Sequence, residues 1–106
     1  ALRAIIETRI STRKPAPYLT NEAWAGGHAF YVDERVIVPR SFIAELMAQG
    51  LEDIVPEVAD AGRILDLCAG SGCLAILAAL AYPDADIDAA ELSEDALAVA
   101  ERNVSA

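Results

Sequence analysis

Apolar residues at Leu2, Ile5, Ile6 and Ile10 recur at helical intervals. They predict a helix that stops before Lys14-Pro15-Ala16-Pro17, where two prolines forbid continuation and leave an extended linker. A loop-like run through Gly26-Gly27 follows. Phe30-Tyr31-Val32 and Val36-Ile37-Val38 are β-rich runs on either side of the charged Asp33-Glu34-Arg35, the pattern of a hairpin whose turn lacks Asn-Gly or Asp-Gly. Pro39 ends the second run, Ser41 stands where an N-cap belongs, and Phe42, Ile43, Leu46 and Met47 line one side of a short helix closing at Gly50. Leu51 to Ala59 reads as a further helix.

From Arg63 the pattern changes. Ile64-Leu65-Asp66-Leu67 is a short apolar run, Cys68-Ala69-Gly70-Ser71-Gly72 a turn, and Cys73 to Ala81 is apolar on nearly every side: a buried strand, a glycine turn and a buried helix. Pro83-Asp84 closes that helix, Ile87 to Ala90 makes a second strand, and Ser93-Glu94-Asp95 opens another helix with acids in its first turn. The order β, α, β, α is the opening of a parallel sheet, so the expected fold class is α/β. A helix and hairpin region over 1–60 precedes the first units of a Rossmann-like sheet over 61–106. A doubly wound sheet needs more strands than these, so the expectation is that the 106 residues are part of a longer protein.

Composition narrows the classes. With 55% hydrophobic and 24% charged residues the chain is globular rather than disordered. The longest charge-free stretch, Leu67 to Pro83, is broken by Gly70, Ser71 and Gly72, so no membrane span is expected. No secretory pattern precedes Arg3, Glu7 and Arg9, and the expected compartment is the cytoplasm. A net charge of -9 is the wrong sign for holding DNA by its phosphates. Only the N-terminal arm, with Arg3, Arg9, Arg13 and Lys14 against Glu7, is basic. Cys68 and Cys73 match neither a disulfide framework nor zinc-site spacing, and no metal is expected.

The chemistry concentrates in Asp66-Leu67-Cys68-Ala69-Gly70-Ser71-Gly72, with Glu91 following 19 residues after the last glycine. The glycines let the backbone turn tightly and approach a ligand, toward which the next helix points its free N–H groups. An acid at the tip of the second strand can accept both hydroxyls of a ribose. Gly70 to Ala75 also satisfies G-x-G-x-x-A, the dinucleotide fingerprint. Asp66 separates the two cofactor classes: a carboxylate there repels a pyrophosphate and attracts a cation. S-adenosylmethionine has no phosphate and carries an ammonium and a sulfonium, and the electrostatics favour it over a nicotinamide cofactor. The candidate cofactor-binding residues are Asp66, Cys68, Ala69, Gly70, Ser71, Gly72, Glu91 and Leu92.

The segment Asp66 to Ile76 resembles the first motif of class I S-adenosylmethionine-dependent methyltransferases, in the form typical of the HemK/PrmB glutamine methyltransferases. Pro17 to Asn21 and Gly27 to Ser41, with Pro39-Arg40, are similar to the segment preceding that family's catalytic domain. The resemblance covers about residues 9–104. It implies transfer of a methyl group to a glutamine side-chain amide. Ser41-Phe42, where the release-factor branch has Pro-Glu, is more like the branch acting on a large-subunit ribosomal protein. Cys68-Ala69 departs from the commoner Gly-Thr, and Glu91 from the commoner Asp. The family's Asn-Pro-Pro-Tyr motif, which receives the amide, does not occur in these residues, so no catalytic residue is named.

Phe30, Pro39 and Arg40 are the substrate-side candidates. Trp24, Phe30 and Tyr31 suit either a substrate-facing wall or a small core, and Arg40 either a positioning role or an ion pair with Asp66 or Glu45. His28, the single histidine, is assigned no chemistry. Two other readings stay open: an NAD(P)-binding piece of an oxidoreductase, and a partner-docking module without catalysis. The oligomeric state is not legible.

Overall fold

The computed structural model describes residues 1–60 and 62–106. Helix α1 (Leu2–Thr12) buries none of its side chains and stops at Arg13, whose left-handed φ of 57° returns its N–H to the Arg9 carbonyl. The expected linker then departs from prediction, because Ala16–Thr20 form a short helix, α2, with Pro15 as its N-cap. Proline is tolerated in a first helical turn, where N–H groups lack helical partners in any case.

The hairpin forms earlier than expected. Strands β1 (Ala23–Ala25) and β2 (His28–Phe30) pair antiparallel, with Ala23 opposite Phe30. Gly26 and Gly27 supply the turn with φ of 56° and 79°, the two positive values that a tight two-residue hairpin requires. Residues 31–38, expected as strand and turn, pair with no strand among the described residues. Side chains satisfy their backbone instead. Asn21 Nδ2 donates to the Val32 carbonyl, Tyr18 Oη to the Val36 carbonyl, and Asn103 engages Tyr31. Asp33 accepts the Arg35 N–H and guanidinium, and the Val36 N–H returns to the Asp33 carbonyl. Val32 and Val36 are buried with Ala23, Ala96 and Val99, so their apolar pattern serves packing against a helix rather than a sheet face.

Helix α3 (Phe42–Gln49) is capped by the Ser41 hydroxyl, which accepts the Ile43 N–H. Such a cap contributes about 1 kcal/mol. Its inner side is the expected one only in part: Leu46 and Met47 are half-buried and Met47, with Ala44, packs against Phe30, Cys73 and Leu77, whereas Phe42 is 81% exposed and Ile43 is exposed too. The helix expected from Leu51 to Ala59 is two 3₁₀ turns, Leu51–Asp53 and Val58–Asp60. Pro56 between them lacks the N–H and the clearance that a continuous helix needs. Ala61, where the second region begins in the sequence reading, lies outside the described residues.

Strand β3 (Arg63–Leu67), helix α4 (Cys73–Ala81), strand β4 (Asp86–Ala90) and helix α5 (Glu94–Ser105) follow in the expected order. The strands pair in parallel from Arg63 opposite Asp86 to Leu67 opposite Ala90. The Ala69 N–H extends the ladder to the Ala90 carbonyl. Ser93 caps α5 by accepting the Ala96 N–H. Among the described residues no helix is long and apolar enough to cross a membrane, and no cluster of potential metal ligands occurs.

The hairpin turn leans on α4, since a Cβ on Gly26 would lie 2.8 Å from a Leu77 methyl whereas one on Gly27 would meet nothing within 4 Å. Both glycines have positive φ, so Gly27→Ala should cost about 1 kcal/mol and Gly26→Ala about 2 kcal/mol, the excess coming from overpacking. Urea unfolding of the two variants measures the difference.

Candidate functional site

The end of β3 must turn sharply to start α4, and three residues take left-handed backbone to do it: Cys68 (φ 61°), Gly70 (φ 57°) and Gly72 (φ 81°). The Gly72 N–H closes the turn on the Ala69 carbonyl at 2.9 Å. Glycine at 72 also admits α5, because a Cβ there would sit 3.2 Å from the Ala100 methyl. At Gly70 a Cβ would meet no atom within 4 Å, so the turn is open on that side. Cys68 takes its left-handed conformation with a side chain attached.

Glu91 follows β4 and reaches back to this turn. Its Oε1 accepts the Gly70 N–H at 2.7 Å and its Oε2 the Ser93 N–H at 3.0 Å. These two donors, Ser93 first, hold its carboxyl below the usual carboxylate range. Asp66, in β3, is opposite in character. It is half-buried, its Oδ2 is buried without a hydrogen-bond partner, and burial pushes its carboxyl up. A carboxylate oxygen left in that condition suits a cationic donor.

A cleft of about 200 Å³ opens beside Asp66. Cys68, Ala69, Gly70 and Ser71 form one wall, and Pro39, Arg40 and Ser41 contribute to the other. Five cofactor-side candidates, Asp66 among them, thus meet two of the three substrate-side candidates. Glu91 flanks the turn on the β4 side, and the Leu92 side chain beyond it is 99% exposed. Phe30 is not in the cleft: it is buried against Cys73 and Leu77. Tyr31 lies under the Arg102 guanidinium, 3.7 Å from its ring centre, while Trp24 faces outward. Arg40 is exposed and forms no ion pair among the described residues, with Asp66 and Glu45 included. Cys68 is exposed, Cys73 is buried, and both are free thiols.

One contributor was missed from sequence. Asn103 is buried in α5 and bonds both to Tyr31 and to the Ser71 carbonyl of the glycine turn. The signal was present: Ala96, Val99, Ala100 and Asn103 follow the i, i+3, i+4, i+7 stripe of a buried helix face, so the amide occupies a core position.

A parallel β-α-β unit with a glycine turn after its first strand and an acid after its second defines a Rossmann-like α/β fold. Residues 43–106 match the family model described as methyltransferase small domain, and the chain belongs to that family. It is 62% identical over 103 residues to the ribosomal protein uL3 glutamine methyltransferase of Burkholderia pseudomallei (strain K96243), covering 97% of this chain and 34% of that protein. The protein of the same name from Bordetella pertussis is 58% identical over 101 residues, and that from Neisseria gonorrhoeae 55% identical over 101, each match covering 95% of this chain and 34% of the relative. The chain therefore spans about a third of the length of these relatives. The resemblance to glutamine methyltransferases read from the glycine motif and the Pro-Arg segment is borne out.

Glu91 gives a pH signature. Its folded pKa is lowered, so it contributes stability above the ordinary carboxylate range, near pH 4.3, which is lost as pH falls through the folded value. Below about pH 5 the stability of the wild-type chain should fall more steeply than that of Glu91→Gln, as read by urea midpoints measured across the acid range.

Proposed function

We propose that the whole protein transfers the methyl group of S-adenosylmethionine to a glutamine side-chain amide of ribosomal protein uL3, in the cytoplasm, and that these residues supply its cofactor-holding part. The observation that carries this reading is the pair of unlike carboxylates around Gly70: Asp66, with a buried orphan oxygen, and Glu91, held ionised by two backbone N–H groups. S-adenosylmethionine supplies an electrophilic methyl group on a sulfonium. Asp66 is the residue to take its ammonium. Glu91 keeps lone pairs for the ribose hydroxyls while its bonds to Gly70 and Ser93 fix its direction. Gly70 leaves room for close backbone approach, and the N-terminal end of α4 adds positive potential. A pyrophosphate brought to the same turn meets the Asp66 carboxylate instead, at a cost of kcal/mol in a partly desolvated cleft. This argues against a nicotinamide dinucleotide.

The names of the relatives, which specify uL3 rather than a release factor, support this acceptor. Arg40, behind Pro39 at the cleft rim and without an ion pair among the described residues, is available to hold the acceptor backbone or a carboxylate. Arg9 and Arg13 of the N-terminal arm lie with Ile10 on the exposed surface of α1 and its C-cap, basic and apolar side chains suited to acceptor docking. Lys14, grouped with them by sequence, is tied to Glu34. The step itself, on a poor amide nucleophile, depends on alignment.

Calorimetry on the full-length protein should show binding of S-adenosylhomocysteine and none of NAD; NAD binding with S-adenosylhomocysteine silent would overturn the reading. Asp66→Asn should weaken cofactor binding about tenfold or more, near 1.4 kcal/mol. The same change should raise the melting temperature of the ligand-free protein at neutral pH, because burial disfavours the ionised carboxyl. Cofactor affinity should decline as pH is lowered into the carboxylate range, since only ionised Asp66 attracts an ammonium. For the arm, Arg9→Glu with Arg13→Glu should raise the KM for uL3 several-fold in a labelled-methyl transfer assay and leave cofactor affinity unchanged; equal effects on both would refute the docking role.

A further inference from the structure

We propose that Asn103 is a positioning residue that sets both walls of the cofactor cleft; this rests on the cofactor reading above. Its Nδ2 donates to the Ser71 carbonyl at 2.8 Å and to the Tyr31 carbonyl at 2.9 Å, and its Oδ1 accepts the Tyr31 N–H at 2.7 Å. The side chain is buried, and both of its donors and its acceptor are engaged. Ser71 belongs to the glycine turn, one wall of the cleft. Tyr31 begins the segment that runs through buried Val32 and Val36 to Pro39 and Arg40, the opposite wall. Among the described residues the two walls have no strand pairing between them. One amide therefore bonds to both the turn and the segment, beside the packing of Val32 and Val36 on α5 and of α3 on α4, and a change in its bonding shifts one wall relative to the other. Two donors and one acceptor at this reach are what a primary amide offers. A carboxylate at 103 would place negative oxygen against two carbonyls, and a hydroxyl has a single proton to share between them.

The test uses the full-length protein and compares wild type, Asn103→Asp, Asn103→Ser and a control, Val58→Ala, at a temperature where each retains native circular dichroism. Val58 is buried and does not line the cleft, so its truncation lowers stability at a residue outside the cleft lining. Two quantities are read: the Kd for S-adenosylhomocysteine, and the rate at which iodoacetamide alkylates exposed Cys68, followed by peptide mass spectrometry without ligand. The expected result is a Kd raised about tenfold or more and a Cys68 rate changed several-fold in the Asn103 variants, with both quantities within about twofold of wild type in Val58→Ala. Folded Asn103 variants with wild-type Kd and Cys68 rate would overturn the proposal, as would a control that moves both as far. If Asn103→Asp does not fold, Asn103→Ser, which keeps one donor, gives the reading. If wild type does not bind S-adenosylhomocysteine, the cofactor reading fails, and the alkylation rate still decides whether Asn103 sets the turn.

Discussion

Among the described residues the backbone of 31–38 has no strand to pair with, and a buried amide on a distant helix stands in for one. Buried peptide groups must find hydrogen-bond partners, and in a segment without a paired strand side chains and local turns supply them. Asn103, Asn21 and Tyr18 do so here, while Val32 and Val36 pack on Ala96 and Val99. The consequence reaches the site, because the same helix that receives this segment also seats the glycine turn, through Ala100 against Gly72 and Asn103 against Ser71. The position of Pro39 and Arg40 relative to Asp66 thus depends on how α5 packs, together with the packing of α3 on α4.

The electrostatics of the cleft follow from two acids in different surroundings. Backbone N–H groups surround Glu91 and stabilise its charge, whereas Asp66 has lost water without gaining a partner for one oxygen. Opposite pKa directions for carboxyls on either side of one turn fit two duties toward one ligand: an uncharged diol at Glu91 and a cation at Asp66. With a net charge of -9, the chain adds a field that disfavours polyphosphates generally.

From Arg63 onward the sequence was legible because period, turn chemistry and capping agree: an apolar run, glycines where left-handed backbone is needed, Ser93 before an acidic first turn. Before Arg63 the signals conflicted. Val36-Ile37-Val38 has the composition of a strand, but β-branched residues also suit a segment packed on a helix, and composition does not supply a pairing partner. Gly26-Gly27 marks the true turn, yet its strands are three residues each, too short for alternation to register. Pro56 was the clue against a helix from Leu51 to Ala59. At the site, Asp66, Glu91 and the glycines could be named from spacing. Phe30 was drawn into the core by Leu77 and Cys73, and Asn103 was hidden because its role depends on a contact 72 residues away in sequence.

The most direct test of the central claim, that the two carboxylates divide the recognition of a cationic nucleoside between them, is a crystal structure of the full-length protein with S-adenosylhomocysteine. The account predicts the ligand's amino nitrogen within hydrogen-bond distance of Asp66 and its ribose hydroxyls on Glu91, above Gly70. Nucleoside bound away from both acids, with Asp66 Oδ2 still unpartnered, would contradict it.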